Sequence, residues 1–220
     1  MKNLLIIGFV FPEPNSTAAG TRMMQLIDLF QKNNYAITFA SSASKTDKSF
    51  NLETINIKTQ EIKLNDANFD KLLKKINPII VLFDRFLTEE QFGWRVSEIC
   101  PKAIRILDTE DLHFLRNARQ LSIKNKIKIS TDLLFNEIAK REIASIYRCD
   151  LSLIISKYEL KLLKKLDPQQ HYYLTFNKYC YITEKTINKD IHNRNDIINI
   201  QNINFKLAFS LNYFKRLKIQ

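Results

Sequence analysis

AIRILDTEDLH, residues 103–113, decides how this chain folds. Ala103 to Leu107 is an apolar run that stops at Asp108, and Glu110, Asp111 and His113 follow within five residues. In an alternating strand–helix protein, the loops at the carboxyl ends of parallel strands line the ligand crevice. Three carboxylates and an imidazole are costly to crowd together, and a strand exit needs only one capping residue. The stretch is therefore expected to close a strand and to carry chemistry. His113 is the candidate catalytic group, a hydrogen-bond donor or base positioned by a carboxylate. Asp108, Glu110 and Asp111 are candidate substrate ligands. The competing reading is capping by Asp108 or Thr109, with the other acids in the first turn of a helix. Arg116 and Arg119 follow at one-turn spacing, placed to pair with the acids or to bind a phosphate.

The same alternation extends to both sides. Residues 3–11, NLLIIGFVF, read as a strand buried on both faces. After the loop PEPNSTAAG, Met23, Leu26, Ile27 and Phe30 fall at the i, i+3, i+4, i+7 spacing of an amphipathic helix. Tyr35–Ser41 is a second strand and the region 54–64 supplies a third. Phe69, Leu72, Leu73 and Ile76 repeat the helical spacing until Pro78 halts it. PIIVLFD is a further buried strand, ending on Asp84, and Thr88 is expected to cap the helix that follows. Residues 131–147 read as one helix, with Leu134, Ile138 and Ile146 inward. DLSLIIS is the last clear strand, and Ser156 with Glu159 forms the S-x-x-E of a capping box. This order predicts an α/β fold, a doubly wound parallel sheet of Rossmann-like type over residues 1–170.

Two other loops are candidate binding elements. In FPEPNSTAAGTRM, Ala19 and Gly20 would permit close backbone approach to a ligand, and Arg22 would add a charge. The spacing is not G-x-G-x-x-G and no P-loop occurs, so a dinucleotide or P-loop protein is excluded. The competing reading is a flexible loop with Thr21 or Ser16 as helix cap. In FDRFLTEEQFGWRV, Asp84 and Arg85 sit at a strand end on the same side as Asp108, and Arg85 could hold an anion or pair with Asp84. Glu89 and Glu90 are accounted for by the helix macrodipole, and Trp94 by packing into the core or against a neighbour.

The net charge is +11, of which residues 173–220 hold +5 from eight Lys/Arg and three Asp/Glu. Lys124, Lys126 and Lys128 form a short basic run that is most simply a solvated loop. No interleaved aromatics or nucleic-acid motif accompany the charge, so a nucleic-acid partner is not expected, while attraction to an anionic membrane surface stays open. No apolar run reaches the roughly 18 residues of a membrane span. The first apolar run reads better as a strand than as a signal peptide, because no small-x-small cleavage site follows. Cys100, Cys149 and Cys180 fit neither a disulfide framework nor a zinc site, which points to a reduced, cytoplasmic setting. His113, His171 and His192 are scattered, so no metal and no cofactor is expected.

Residues 171–220 break the pattern. No glycine follows Gly93, and eight asparagines and eight isoleucines fall among residues 173–220. Asparagine is poor in helix interiors and in strands. An irregular tail is expected, either a poorly folded native extension or an aberrant end from a changed reading frame.

PEPNSTAAGTRMMQLIDLF, VLFDRFLTEEQFGWRV, RILDTEDLHFLRNAR and DLSLIISKYE, in that order, resemble the N-terminal half of bacterial retaining glycosyltransferases of the GT-B fold. The resemblance implies two Rossmann-like domains across a cleft, this one holding a glycan or lipid-linked acceptor and the other a nucleotide-sugar. It places the Gly20 loop near the donor phosphates or sugar, Asp108–His113 on the acceptor side, and His113 against the transferred sugar. It makes Ser156 and Glu159 structural. The family's donor half carries glycine-rich loops and a Glu-x7-Glu pair, which residues after 172 do not resemble; Glu90 and Glu98 share that spacing in the wrong place. The chain alone is therefore expected to transfer no sugar. The alternative is a non-enzymatic, flavodoxin-like binding or regulatory module. Against a receiver-type site, VFPEP offers only Glu13 where paired acids belong.

Overall fold

The computed structural model describes residues 2–166 and 172–174. Seven strands, β1 (Lys2–Gly8), β2 (Tyr35–Ser41), β3 (Lys58–Glu61), β4 (Ile80–Asp84), β5 (Ile104–Asp108), β6 (Leu151–Ile154) and β7 (Tyr172–Leu174), form one sheet. Its order is β3-β2-β1-β4-β5-β6-β7, and every pairing is parallel. The chain steps outward from β1 to β3, then returns to lay β4 on the other side of β1. That reversal between β1 and β4 is the topological switch point, where open α/β sheets bind ligands beyond the carboxyl ends of their strands. The expected Rossmann-like α/β fold is present.

The helices are α1 (Ala18–Lys32), α2 (Ala67–Ile76), α3 (Arg85–Ile99), α4 (His113–Asn125), α5 (Thr131–Leu134), α6 (Glu137–Arg148) and α7 (Lys157–Leu166). Leu4, Leu5, Ile6 and Ile7 of β1 are wholly buried, which strand alternation allows only when both sheet faces are covered. Leu5 and Ile7 join a core with Phe69 and Leu73 of α2, Phe92 and Val96 of α3, Phe114 and Leu115 of α4, Ile146 of α6 and Leu163 of α7. α1 buries Met23, Leu26, Ile27 and Phe30, each contributing about 1.5–3 kcal/mol by its removal from water.

Several local expectations are corrected. Thr17 caps α1, not Ser16 or Thr21: its Oγ1 accepts from Gly20 N at 2.9 Å. α3 begins at Arg85, three residues before Thr88, whose hydroxyl instead donates back to the carbonyls of Asp84 and Arg85 at 3.0 and 3.1 Å. The helix expected over residues 131–147 is two helices, because Asn136 interrupts it and caps α6 by accepting from Ala139 N. Glu89 and Glu90 lie beyond the first turn of α3 and clamp it to α6, Glu89 on Arg148 and Glu90 on Arg141. Trp94 is half exposed, with the Arg95 guanidinium 4.4 Å from its ring centre. Cys100 and Cys149 are buried free thiols. Cys180, His171, His192 and the expectations for the tail beyond β7 lie outside the described residues.

Candidate functional site at the switch point

β4 and β5 end in register, Asp84 opposite Asp108. Both acids are buried, and the same-side neighbours of adjacent parallel strands sit about 5 Å apart. Two like charges held so close in a desolvated place require counter-charges. Arg22, one turn into α1, supplies the first. Its Nε reaches both Asp108 oxygens at 3.1 Å and its Nη2 reaches Oδ1 at 2.6 Å. Burial opposes the charge on Arg22, but Asp108, Glu110 and Asp84 more than offset this and hold its pKa above the usual value. Arg85 supplies the second, with Nε 3.7 Å from Asp84 Oδ1 and its guanidinium 5.0 Å from the centre of the Phe9 ring. Phe9 N donates to Asp84 Oδ2 at 3.0 Å, which ties the loop after β1 to the end of β4.

Glu110 completes this group, with Oε1 3.6 Å from Arg22 Nε. Arg85 and Glu110 both hold left-handed backbone, φ 70° and 61°. For side chains without a short polar group to compensate, that conformation costs about 1–2 kcal/mol per residue. The two strained positions lie one and two residues beyond the ends of β4 and β5, a placement typical of functional sites. Burial, then the charges of Asp108 and Asp84, push the Glu110 carboxyl up to about 8, and burial raises Asp84 to about 6. Both shifts favour the proton-bearing form, and more strongly for Glu110 than for Asp84. Among the described residues, Asp84 Oδ1 and Glu110 Oε1 are buried oxygens with no hydrogen-bond partner.

His113 stands in a neighbouring set. Its ring meets Phe86 edge-on at 5.2 Å between centres, and Nε2 lies 3.7 Å from Asp111 Oδ1. Asp111 accepts from Arg116 Nη1 at 2.9 Å. Burial, followed by the charge of Arg116, lowers His113 to about 4, so the imidazole is neutral at pH 7 and can donate or accept. Arg85 also acts electrostatically on His113 and on Glu110, which puts it between the two sets. Arg119 does not join the acids; it lies 5.3 Å from the Tyr158 ring centre.

The first loop is shaped by its own packing. A Cβ on Gly20 would lie 2.5 Å from the backbone of Glu13, so glycine here is required for the loop to fold back on α1. Ala19 sits half-buried beside it in the first turn. A separate surface groove of about 450 Å³ between the end of β3 and α2, lined by Ile62, Lys63, Asp66, Phe69 and Lys75, contains none of the site groups.

One capping carboxylate, Glu142, escapes the sequence reading, and a second, Glu159, is read there only as the capping-box acid of its own helix. α4 starts after Leu112, which offers no side-chain cap, so its free amides are met from elsewhere. Glu142 of α6 accepts from His113 N at 3.1 Å and Phe114 N at 2.9 Å, and Glu159 of α7 accepts from Leu112 N at 3.2 Å. Burial raises Glu142 to about 8. Asp108 and Thr109 therefore do not cap α4; the Thr109 hydroxyl donates to Leu153 O at 3.0 Å. The Ser156 capping box is half formed, since its Oγ accepts from Glu159 N at 3.1 Å while the Glu159 carboxylate turns to Ser156 Oγ and Leu112 N. The available signal was an acid on the stripe of α6 that buries Ala139, Ser145 and Ile146.

No family model matches the chain, and no curated protein resembles it significantly in sequence. Solved glycosyltransferases share its fold. Sucrose-phosphate synthase from Thermosynechococcus elongatus is 10% identical with a TM-score of 0.52, over 80% of this chain and 48% of that one. The lipopolysaccharide outer core galactosyltransferase WaaB, in its apo form, is 14% identical at 0.50, over 79% and 45%. A UGT transferase from Siraitia grosvenorii in complex with UDP is 10% identical at 0.50, over 87% and 55%. The fold is that of one half of a GT-B glycosyltransferase, and the chain spans about half the length of the structures it matches.

Proposed function

We propose that these residues form the acceptor-side half of a GT-B glycosyltransferase, which transfers sugar from a nucleotide-sugar to a glycan or lipid-linked acceptor. The observation that carries this reading is the pair of buried, unsatisfied oxygens, Asp84 Oδ1 and Glu110 Oε1, held at the switch point between two guanidinium groups. Buried polar atoms call for partners. Sugar hydroxyls both donate and accept, so they can give to the Asp84 carboxylate and take from the Glu110 carboxyl or the Arg85 guanidinium. Asp108 and Arg22 neutralise one another and fix this frame. Asp111 orients His113, whose neutral ring contacts the transferred sugar. The Ala19–Gly20 turn borders the side that faces a donor domain.

The nucleotide-sugar binds only with a second domain. Within these 220 residues, Arg22 is already committed to Asp108, and stabilising a leaving diphosphate needs preorganised positive groups. The 220 residues alone therefore turn over no nucleotide-sugar. The protein works in the cytoplasm, with peripheral contact to the inner membrane face. The flavodoxin-like regulatory alternative is not favoured by the fold neighbours.

Thermal-shift screening against short glycans, polyprenyl phosphates and nucleotide-sugars, paired with a turnover assay, tests the reading. Stabilisation by glycans or lipid-linked acceptors, none by nucleotide-sugars, and no turnover are expected. Turnover by the purified 220 residues overturns the division of labour, and stabilisation by nucleotides alone overturns the acceptor assignment.

A further inference from the structure

We infer that the excursion between α4 and α6 is a docking element for an anionic lipid surface. α4 buries Phe114, Leu115 and Ala118 and then leaves the core, with no buried residue after Ala118. The chain returns at Asn136, whose Nδ2 donates to Asn117 Oδ1 at 3.2 Å and closes the neck of the excursion. Between these points every residue from 123 to 132 is exposed. Ile123 is 79% exposed, and Ile127, Ile129 and Phe135 are 48%, 42% and 42% exposed.

Four large apolar side chains bared over thirteen positions are not an ordinary solvated loop, since isoleucine is among the most commonly buried residues. Lys124, Lys126 and Lys128 alternate with them, against a single acid, Asp132, over residues 122–135. Apolar groups bracketed by lysines match the interface of a bilayer: the isoleucines enter the headgroup–acyl boundary and the ammonium groups meet anionic headgroups. A second copy of the chain is a poor occupant, because both partners would bring this basic stretch on bodies of net charge +11. Nucleic acid is poorly served by isoleucines, which offer no stacking surface for bases.

The position deepens the acceptor reading, on which the link between this element and the site rests. Ile123 lies ten residues along α4 from His113, about 15 Å at helical rise. A bilayer engaged by the excursion thus lies within reach of the site for an acceptor anchored in lipid.

The test uses the full 220-residue chain and co-sedimentation with vesicles of phosphatidylcholine, alone or mixed with phosphatidylglycerol. Binding to the mixed vesicles, weakened by salt, is expected. Ile123→Ser with Ile127→Ser removes exposed groups only, and it should lower binding about tenfold or more. Lys124→Gln with Lys128→Gln should lower it by a similar factor. Insertion is read separately. Trp94 is the single tryptophan, so Ile127→Trp in a Trp94→Phe background reports from the excursion alone, and brominated lipid should quench it. Absence of binding, binding indifferent to the isoleucine substitutions, or an unquenched tryptophan each overturns the inference; the last two would assign attraction to the overall charge. None of these readouts depends on glycan binding, so failure here leaves the acceptor assignment standing, and the reverse also holds.

Discussion

Arg22 of α1 and Asp108 of β5, 86 residues apart, form a buried ion pair in which Nη2 approaches Oδ1 to 2.6 Å. The pair joins a helix that follows the first strand to the strand on the far side of β4, so it fixes the crevice from both sides. Removing one partner leaves the other charged and desolvated. Arg22→Met should therefore cost about 3–5 kcal/mol in urea unfolding, whereas Arg22→Met with Asp108→Leu should recover most of the loss. Equal losses in the single and double variants would show that the charge pairing is not the source.

Glu110 gives the site a pH signature. Its folded-state value of about 8 lies above the ordinary carboxyl value. Its stability contribution is complete at acid pH, where both folded and unfolded chains hold the proton. It is lost as pH rises toward about 8, because the unfolded chain releases the proton first. Asp84, raised to about 6, acts in the same direction over a narrower window. His113, lowered to about 4, acts oppositely, with its contribution present near neutral pH and lost as pH falls. Glu110→Gln should make the decline in thermal stability between about pH 5 and about pH 8 shallower, leaving the share of Glu142, which burial also raises to about 8. An unchanged slope would place the titration elsewhere.

Glu142 and Glu159 cap α4 from two different helices. Glu142→Ala would strand the amides of His113 and Phe114, and each unsatisfied buried donor costs about 1–3 kcal/mol. Amide hydrogen exchange should accelerate at residues 113–116 well beyond the rest of the fold. Glu159→Ala should act most at Leu112. Uniform acceleration across the sheet would instead indicate global destabilisation without a capping role.

Gly20→Ala tests why the first loop contains glycine. The added Cβ meets the backbone of Glu13 at 2.5 Å, not a flexible side-chain tip. The loop must shift, at an expected cost of about 1–3 kcal/mol in chemical unfolding. A neutral effect would show that the loop yields freely.

The strands were legible because a doubly covered parallel sheet needs unbroken apolar runs, and NLLIIGFVF, PIIVLFD and AIRILD supply them. The acidic ends at Asp84 and Asp108 were legible for the same reason, since each acid interrupts such a run. Helix starts were less so. Thr88 looks like a cap, yet Arg85 enters the helix with left-handed backbone three residues earlier, and no local propensity favours that conformation in arginine. The start of α4 was hidden because its capping acids lie 28 to 47 residues away in sequence. Lys124, Lys126 and Lys128 read as a solvated loop until the structure showed the isoleucines between them exposed as well.

The central claim is that a glycan occupies the switch point between β1 and β4, and amide NMR on the labelled chain tests it most directly. Titration with short glycans should shift Phe9, Arg85 and Glu110, whose backbones frame the two unsatisfied oxygens, while UDP-sugars leave them unmoved. Shifts confined to other surfaces, or shifts at these three residues from UDP-sugar and none from any glycan, would contradict the account.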